Sequence, residues 1–394
     1  MKFKSALLVI ASFLSLLPAC QKAQEQPKPK VVTAQAVKIP QPQPQQAQPA
    51  KETSSQQVKF RQITSTPENA AVAKSSPLTE AEQKYFDKIG GDIIDPDIFK
   101  GHDIKKYLRI LLKGSPETIR WYQEKINNKK DRDKEYGQAI ADTVSELNLE
   151  KDKEAFKLAL EVLKTKRAYP EAIAGAAFQI KYAHDPSVIP LLINLSKDPN
   201  QQVELSAAAS LLTLGDADTA LPLLDKLAQE GNVGGVMYLF KGPGQLWDKR
   251  GMKIVKDALN NPKAEVAITA ARLLTEMGKD KQQCEEVALG ILKKYMYKTN
   301  KDYGYEMIGG DPVNLRLLPA YKGKNVEDLQ QSFYSDSRAC SYACWLSGEL
   351  RTKKAIPLLE YIKENNTAGG HVCWENLADK SAEHALEKIE GAKK

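Results

Sequence analysis

The chain has 394 residues, a mean hydropathy of −0.46, 27% charged residues and a formal net charge of +7. The surplus sits entirely before residue 78, since residues 78–394 carry 47 basic and 47 acidic side chains. A broad basic face for nucleic acid is therefore excluded from the larger part, so no nucleic-acid partner is expected, whereas the early lysines suit an anionic surface.

At the start, Lys2 and Lys4 precede an apolar run at 6–17, too short to span a bilayer and shaped like a secretory signal. The run reaches Leu17-Pro18-Ala19-Cys20, which resembles the bacterial lipobox. The resemblance implies a lipoprotein: residues 1–19 are removed, Cys20 takes the lipid, and the chain meets the membrane through its N-terminus. Gln21, in place of Asp, implies the periplasmic face of the outer membrane. An ordinary cleaved signal with an incidental cysteine is the alternative. Residues 20–77 are rich in Gln and Pro without apolar periodicity and read as a disordered tether. It reaches roughly 40 Å as a coil.

From residue 78 onward helical spacing dominates. Helices are expected at 78–87, 103–113 and 115–127, the third with Ser115 as N-cap and Pro116 at its first position. Two more follow at 136–147 and 154–163, and residues 78–149 read as a helical cap on what comes next.

The next stretch repeats. Val188, Leu191, Leu192 and Leu195 return 32 residues later as Ala220, Leu223, Leu224 and Leu227, and again as Ala355, Leu358, Leu359 and Ile362. Each set has one-face helical spacing. Pro190, Pro222 and Pro357 recur with them. Ser187 and Thr219 are the expected N-caps, placing Pro190 and Pro222 in the first turn; Lys354 replaces the cap in the third copy. Small-residue blocks start at Ala176, Ala207, Ala270, Ala343 and Ala382, with a degenerate unit expected near 234–258. Small residues let helix backbones approach closely. The phrases LLTLGDADTALPLL (211–224) and LSGELRTKKAIPLL (346–359) resemble the short HEAT-like repeats of bacterial proteins, including those of phycobilisome lyases. The fold class expected for residues 150–394 is all-α, an α-solenoid of HEAT-like helical hairpins, preceded by the tether. The resemblance supplies no catalytic residues.

Residues 298–333 interrupt the array, with Tyr303, Tyr305 and Tyr321 inside and Tyr295 and Tyr297 just before. Solenoid insertions often lie on a binding face, and Tyr is a favoured interface residue, so these five are candidate partner contacts. The alternative is a loop folded over the array to fill a gap.

After Cys20 the cysteines are Cys284, Cys340, Cys344 and Cys373. An exported chain allows two disulfides, Cys344 with Cys373 and Cys284 with Cys340. Buried free thiols are the alternative, and a Cys₃His metal set of Cys340, Cys344, His371 and Cys373 is another. The Asp92–Asp103 stretch fails the EF-hand spacing, the glycines at 231–244 fail the phosphate-loop order, and His102, His184, His371 and His384 are scattered. The expectation is a monomeric, non-enzymatic scaffold bound to an unidentified envelope protein, with no cofactor. An enzyme or a metal or redox protein using the cysteine cluster, or a cell-wall glycan binder, is the alternative.

Overall fold

The structure is a computed structural model that describes residues 77–90, 103–114, 118, 132–164, 169–242, 244–307, 315–364 and 378–391. All lie in one compact unit, Thr66–Lys394. The signal, Cys20 and the tether up to residue 76 lie outside the described residues, as does the expected helix at 115–127 apart from Thr118.

Helix α1 (Glu80–Gly90) opens with a reciprocal cap. The Thr79 N–H donates to Glu82 at 2.8 Å, and the Glu82 N–H donates to the Thr79 hydroxyl at 3.3 Å. Helix α2 (Ile104–Lys113) starts at Asp103, which accepts from the Lys106 N–H, and stops at Gly114, whose φ of 55° suits a residue lacking Cβ. Lys113 reaches back to Glu82 at 2.6 Å and ties the two helices together.

Thereafter helices alternate between two packed rows. The odd-numbered row contains α3 (Arg132–Ser145), α5 (Pro170–Gln179), α7 (Gln201–Thr213), α9 (Gly234–Met237), α11 (Ala264–Glu276), α13 (Val326–Glu349) and α15 (Ala378–Glu390). The even-numbered row contains α4 (Lys153–Lys164), α6 (Ile189–Leu195), α8 (Ala217–Gln229), α10 (Gly251–Ala258), α12 (Lys281–Tyr295) and α14 (Ile356–Glu364). Within the odd row α3, α5 and α7 pack side by side, as do α9, α11, α13 and α15, while each even helix packs on an odd neighbour. This is the all-α helical-hairpin array that the repeated pattern implies. Two small antiparallel hairpins accompany it, β1 (Phe240–Gly242) with β2 (Gln245–Leu246), and β3 (Tyr305–Met307) with β4 (Leu315–Leu317). Among the described residues no helix is long and apolar enough to cross a membrane.

The small-residue blocks lie on the odd helices, and Ala176, Ala207, Ala270, Ala343 and Ala382 are all fully buried. Close approach is the reason: a Cβ on Gly175 of α5 would stand 2.5 Å from the Cβ of Ala141 on α3. The leucines of the second pattern line the inner side of the even row, where Leu192, Leu224 and Leu359 are fully buried. Removing a side chain like these from water is worth about 1.5–3 kcal/mol.

The degenerate unit falls where the spacing places it, as α9, the first hairpin and α10. Its odd helix is cut to four residues. A Cβ on Gly235 would meet the Ala228 nitrogen at 2.5 Å and the Leu224 oxygen at 2.6 Å, so α9 lies directly on the backbone of α8.

Three expectations change. Thr219 is not the cap of α8; Asp216 is, accepting from the Thr219 N–H at 3.2 Å. The helix therefore starts earlier, and Pro222 lies inside it, where it forgoes one backbone hydrogen bond. Similarly, Asp185 accepts from the Ser187 N–H at 2.9 Å, and a short 3₁₀ turn precedes α6. Finally, α13 begins at Val326, so the last part of the 298–333 stretch is the start of a 24-residue helix.

Candidate functional site

The third position of each small-residue block on the odd row differs in its occupant: Phe178, Ala209, Arg272, Trp345 and His384. Ala209 is buried, Phe178, Arg272 and Trp345 are half-buried, and His384 is exposed. Because Ala209 is small, Phe178 of α5 and Tyr238 after α9 reach one another across α7, with ring centroids 5.2 Å apart.

Between α11, α13 and α15 the larger side chains leave a cavity of about 310 Å³, lined by Arg272, Glu276, Ser341, Tyr342, Trp345 and Ser381. The neighbouring rung is fully satisfied. Seven residues before Arg272, and so on the same face of α11, Glu265 is buried and accepts from Arg338 Nε at 2.7 Å, Arg338 Nη2 at 3.2 Å and the Ser335 hydroxyl at 2.6 Å. That network clamps α13 to α11 and holds one wall of the cavity in place.

At the next rung the hydrogen bonding is incomplete. Arg272 Nε is buried with no hydrogen-bond partner. Its guanidinium lies 5.3 Å from the Tyr342 ring, and Glu276 forms a loose ion pair with it at 3.7 Å, too far for a hydrogen bond. Ser341 and Ser381 bond one another at 3.2 Å across the far side. A buried donor without a partner costs about 1–3 kcal/mol. The arrangement offers a cationic N–H, two aromatic faces and two hydroxyls, which suits an acidic group carried beside an apolar one.

The expected tyrosines divide into two groups. Tyr295 and Tyr305 are buried, and the Tyr303 hydroxyl donates to Asp336 at 2.6 Å. The rings of Tyr303 and Tyr305 pack edge-on against Phe333 and fix the insertion to α13. Burial, then Asp336, pushes the Tyr303 hydroxyl well above the usual phenol range. Tyr321 covers Gly304, whose φ of 91° and contact with that ring leave no room for a side chain. Tyr297 differs: it is 64% exposed and touches Tyr361 edge-on at 4.7 Å.

The cysteine pairing is corrected. Cys284 and Cys344 are free thiols, so neither expected disulfide forms, because each needs one of them. Both are fully buried, and Cys344 occupies the second block position, where Ala177, Ala208 and Ala271 stand elsewhere. Burial pushes both thiols upward. Cys340 is disulfide-bonded, and Cys373 and His371 lie outside the described residues. Among the described residues no three His, Cys, Asp or Glu side chains gather as metal ligands would.

Sequence reasoning missed Arg272, Tyr342 and Trp345. The available signal was the third block position, where alanine gives way to arginine and tryptophan.

No protein-family model matches the chain, and no curated protein matches it. Among solved structures, human deoxyhypusine hydroxylase in complex with glycerol is similar at 13% identity with a TM-score of 0.26, over 79% of this chain and 97% of that chain. At that score the likeness adds nothing to the reading of the site.

Proposed function

We propose that this protein is a non-enzymatic scaffold, anchored by lipid at Cys20 in the bacterial cell envelope, that binds another envelope protein along its odd-numbered helices. The observation that carries the binding reading is the buried Arg272 Nε, which lacks a hydrogen-bond partner, beside Tyr342 and Trp345 in the cavity. Arg, Tyr and Trp in desolvated clefts supply most of the energy at protein interfaces. An acidic side chain of the partner, next to an apolar one, would complete the arginine and fill the cavity.

Anchoring rests on the lipobox-like Leu17-Pro18-Ala19-Cys20, and an outer-membrane position on Gln21. Crosslinking with mass spectrometry in the native host identifies the partner. Capture of that partner should fall at least about tenfold in Trp345→Ala, the loss of one interface anchor. Equal capture by Arg272→Ala and Trp345→Ala, with unchanged melting, overturns the groove assignment. Cys20→Ser should release the chain from the membrane fraction, and retention there overturns the anchor.

A further inference from the structure

Lys181 follows α5 in a short 3₁₀ turn and is only 7% exposed. Its ammonium is surrounded by rings: Nζ lies 3.1 Å from the Phe178 centroid, 5.1 Å from that of Tyr182 and 5.8 Å from that of Tyr238. Aromatic faces attract a cation but do not replace a carboxylate. Burial lowers the amine to about 7, and among the described residues Lys181 makes no ion pair. Buried lysines are normally paired.

The surrounding charges have other arrangements. The turn packs against α5, α4 and α7. On α7, Glu204 is held by Lys226 at 2.9 Å, and next in the chain Asp185 accepts from the Ser187 N–H. On α4, Glu154 pairs with Lys105, Lys153, Lys157 and Lys164 bring further positive charge, and Glu161 is the remaining acid. Glu171 of α5 lies in the first turn, at the other end of that helix. His184 adjoins the turn, and the Tyr182 and Tyr238 hydroxyls are pushed up by burial and stay neutral at physiological pH. None of these groups reaches Nζ as an ion pair.

Tyr182, whose ring lies 5.1 Å from the amine, is 42% exposed, so one wall of the collar borders solvent. We infer that Lys181, Phe178, Tyr182 and Tyr238 form a binding site for a carboxylate borne on an aromatic or aliphatic group. The carboxylate meets the ammonium and its apolar carrier lies among the rings. The site is separate from the Arg272 cavity and does not depend on the scaffold reading, since it is assayed with small probes and no partner.

The test uses the full chain. Site-specific acetylation of Lys181 by N-hydroxysuccinimidyl acetate is followed by peptide mass spectrometry across pH 6–9, with benzoate, N-acetylphenylalanine or neutral N-acetylphenylalaninamide added. Both acids should protect Lys181 and the amide should not. Because only the ammonium attracts the anion, affinity should fall about tenfold per pH unit above the point where Lys181 loses its proton. Stronger protection by benzoate identifies a free small acid as the natural ligand, and stronger protection by N-acetylphenylalanine a peptide terminus. A second arm measures benzoate binding to Lys181→Met by calorimetry, where it should vanish. The inference is overturned if neither acid protects Lys181, if the amide protects equally, or if Lys181→Met binds benzoate as the parent does. Loss of partner capture in Arg272→Ala with carboxylate binding intact would show that the two sites stand independently.

Discussion

The third block position is Ala209 on α7, and there the rings of Phe178 and Tyr238 close over it; on α11 and α13 it is Arg272 and Trp345, and there a cavity stands open. The backbone plan is shared, and the first block position is a fully buried alanine in both regions. What separates them is one side chain per helix. An alanine lets the row seal, whereas large polar or aromatic groups hold neighbouring surfaces apart. Stability should therefore respond most to mutation in the sealed region, and capture of a protein partner to mutation around the open cavity.

The strongest way to expose that contrast is Leu224→Ala, in the sealed region. Leu224 is fully buried, and its truncation should cost about 2–5 kcal/mol in urea unfolding. Glu265→Ala comes next, because it leaves the Arg338 guanidinium and the Ser335 hydroxyl without their acceptor. A loss of about 1–3 kcal/mol is expected from hydrogen bonds to a charged group. It should also loosen the cavity wall, read as faster hydrogen exchange in α13.

Lys181→Met sharpens the comparison from the other direction, since it should stabilise. The folded amine titrates near 7, below its ordinary 10.5. Between those values the unfolded chain holds a proton that the folded chain lacks, so parental stability rises with pH across that window. Below about pH 7 both states are protonated and the burial penalty is complete. The variant should accordingly gain about 1–3 kcal/mol at pH 6, and its advantage should shrink as pH rises toward 10.5. The smallest effect belongs to Arg272→Ala, within about 0.5 kcal/mol in thermal melting, because relief of the unpartnered Nε offsets the contact with Tyr342 that is lost. A large destabilisation there would make Arg272 a structural clamp instead of a binding group.

Much of the framework was written in the sequence. The i, i+3, i+4, i+7 sets locate α6, α8 and α14, and the spacing between alanine blocks locates the shortened unit around α9. These are local signals, and helices are local structures. Helix starts were less legible, since Asp216 and Thr219 are both good caps and only the observed hydrogen bond separates them. The cavity was hidden for a different reason. Its walls come from residues more than a hundred positions apart, Arg272 and Ser381, and depend on how far three helices stand from one another. Cysteine pairing failed likewise, because Cys344 reads equally as a bonding partner or as an enlarged alanine, and burial in α13 made it the latter.

The four-residue helix α9 has a consequence for how the molecule opens. A stack of hairpins is stabilised by intrinsic terms and by the interface each unit shares with the next. Where one rung spans a single turn, little surface bridges its neighbours within the odd row, and continuity passes to α8 and α10. Unfolding should then be least cooperative at this junction, so that α3 to α8 and α11 to α15 exchange amide protons as two blocks with separate opening free energies. A ligand at Lys181 would stiffen the first block, a partner at Arg272 the second, and neither would strongly register the other.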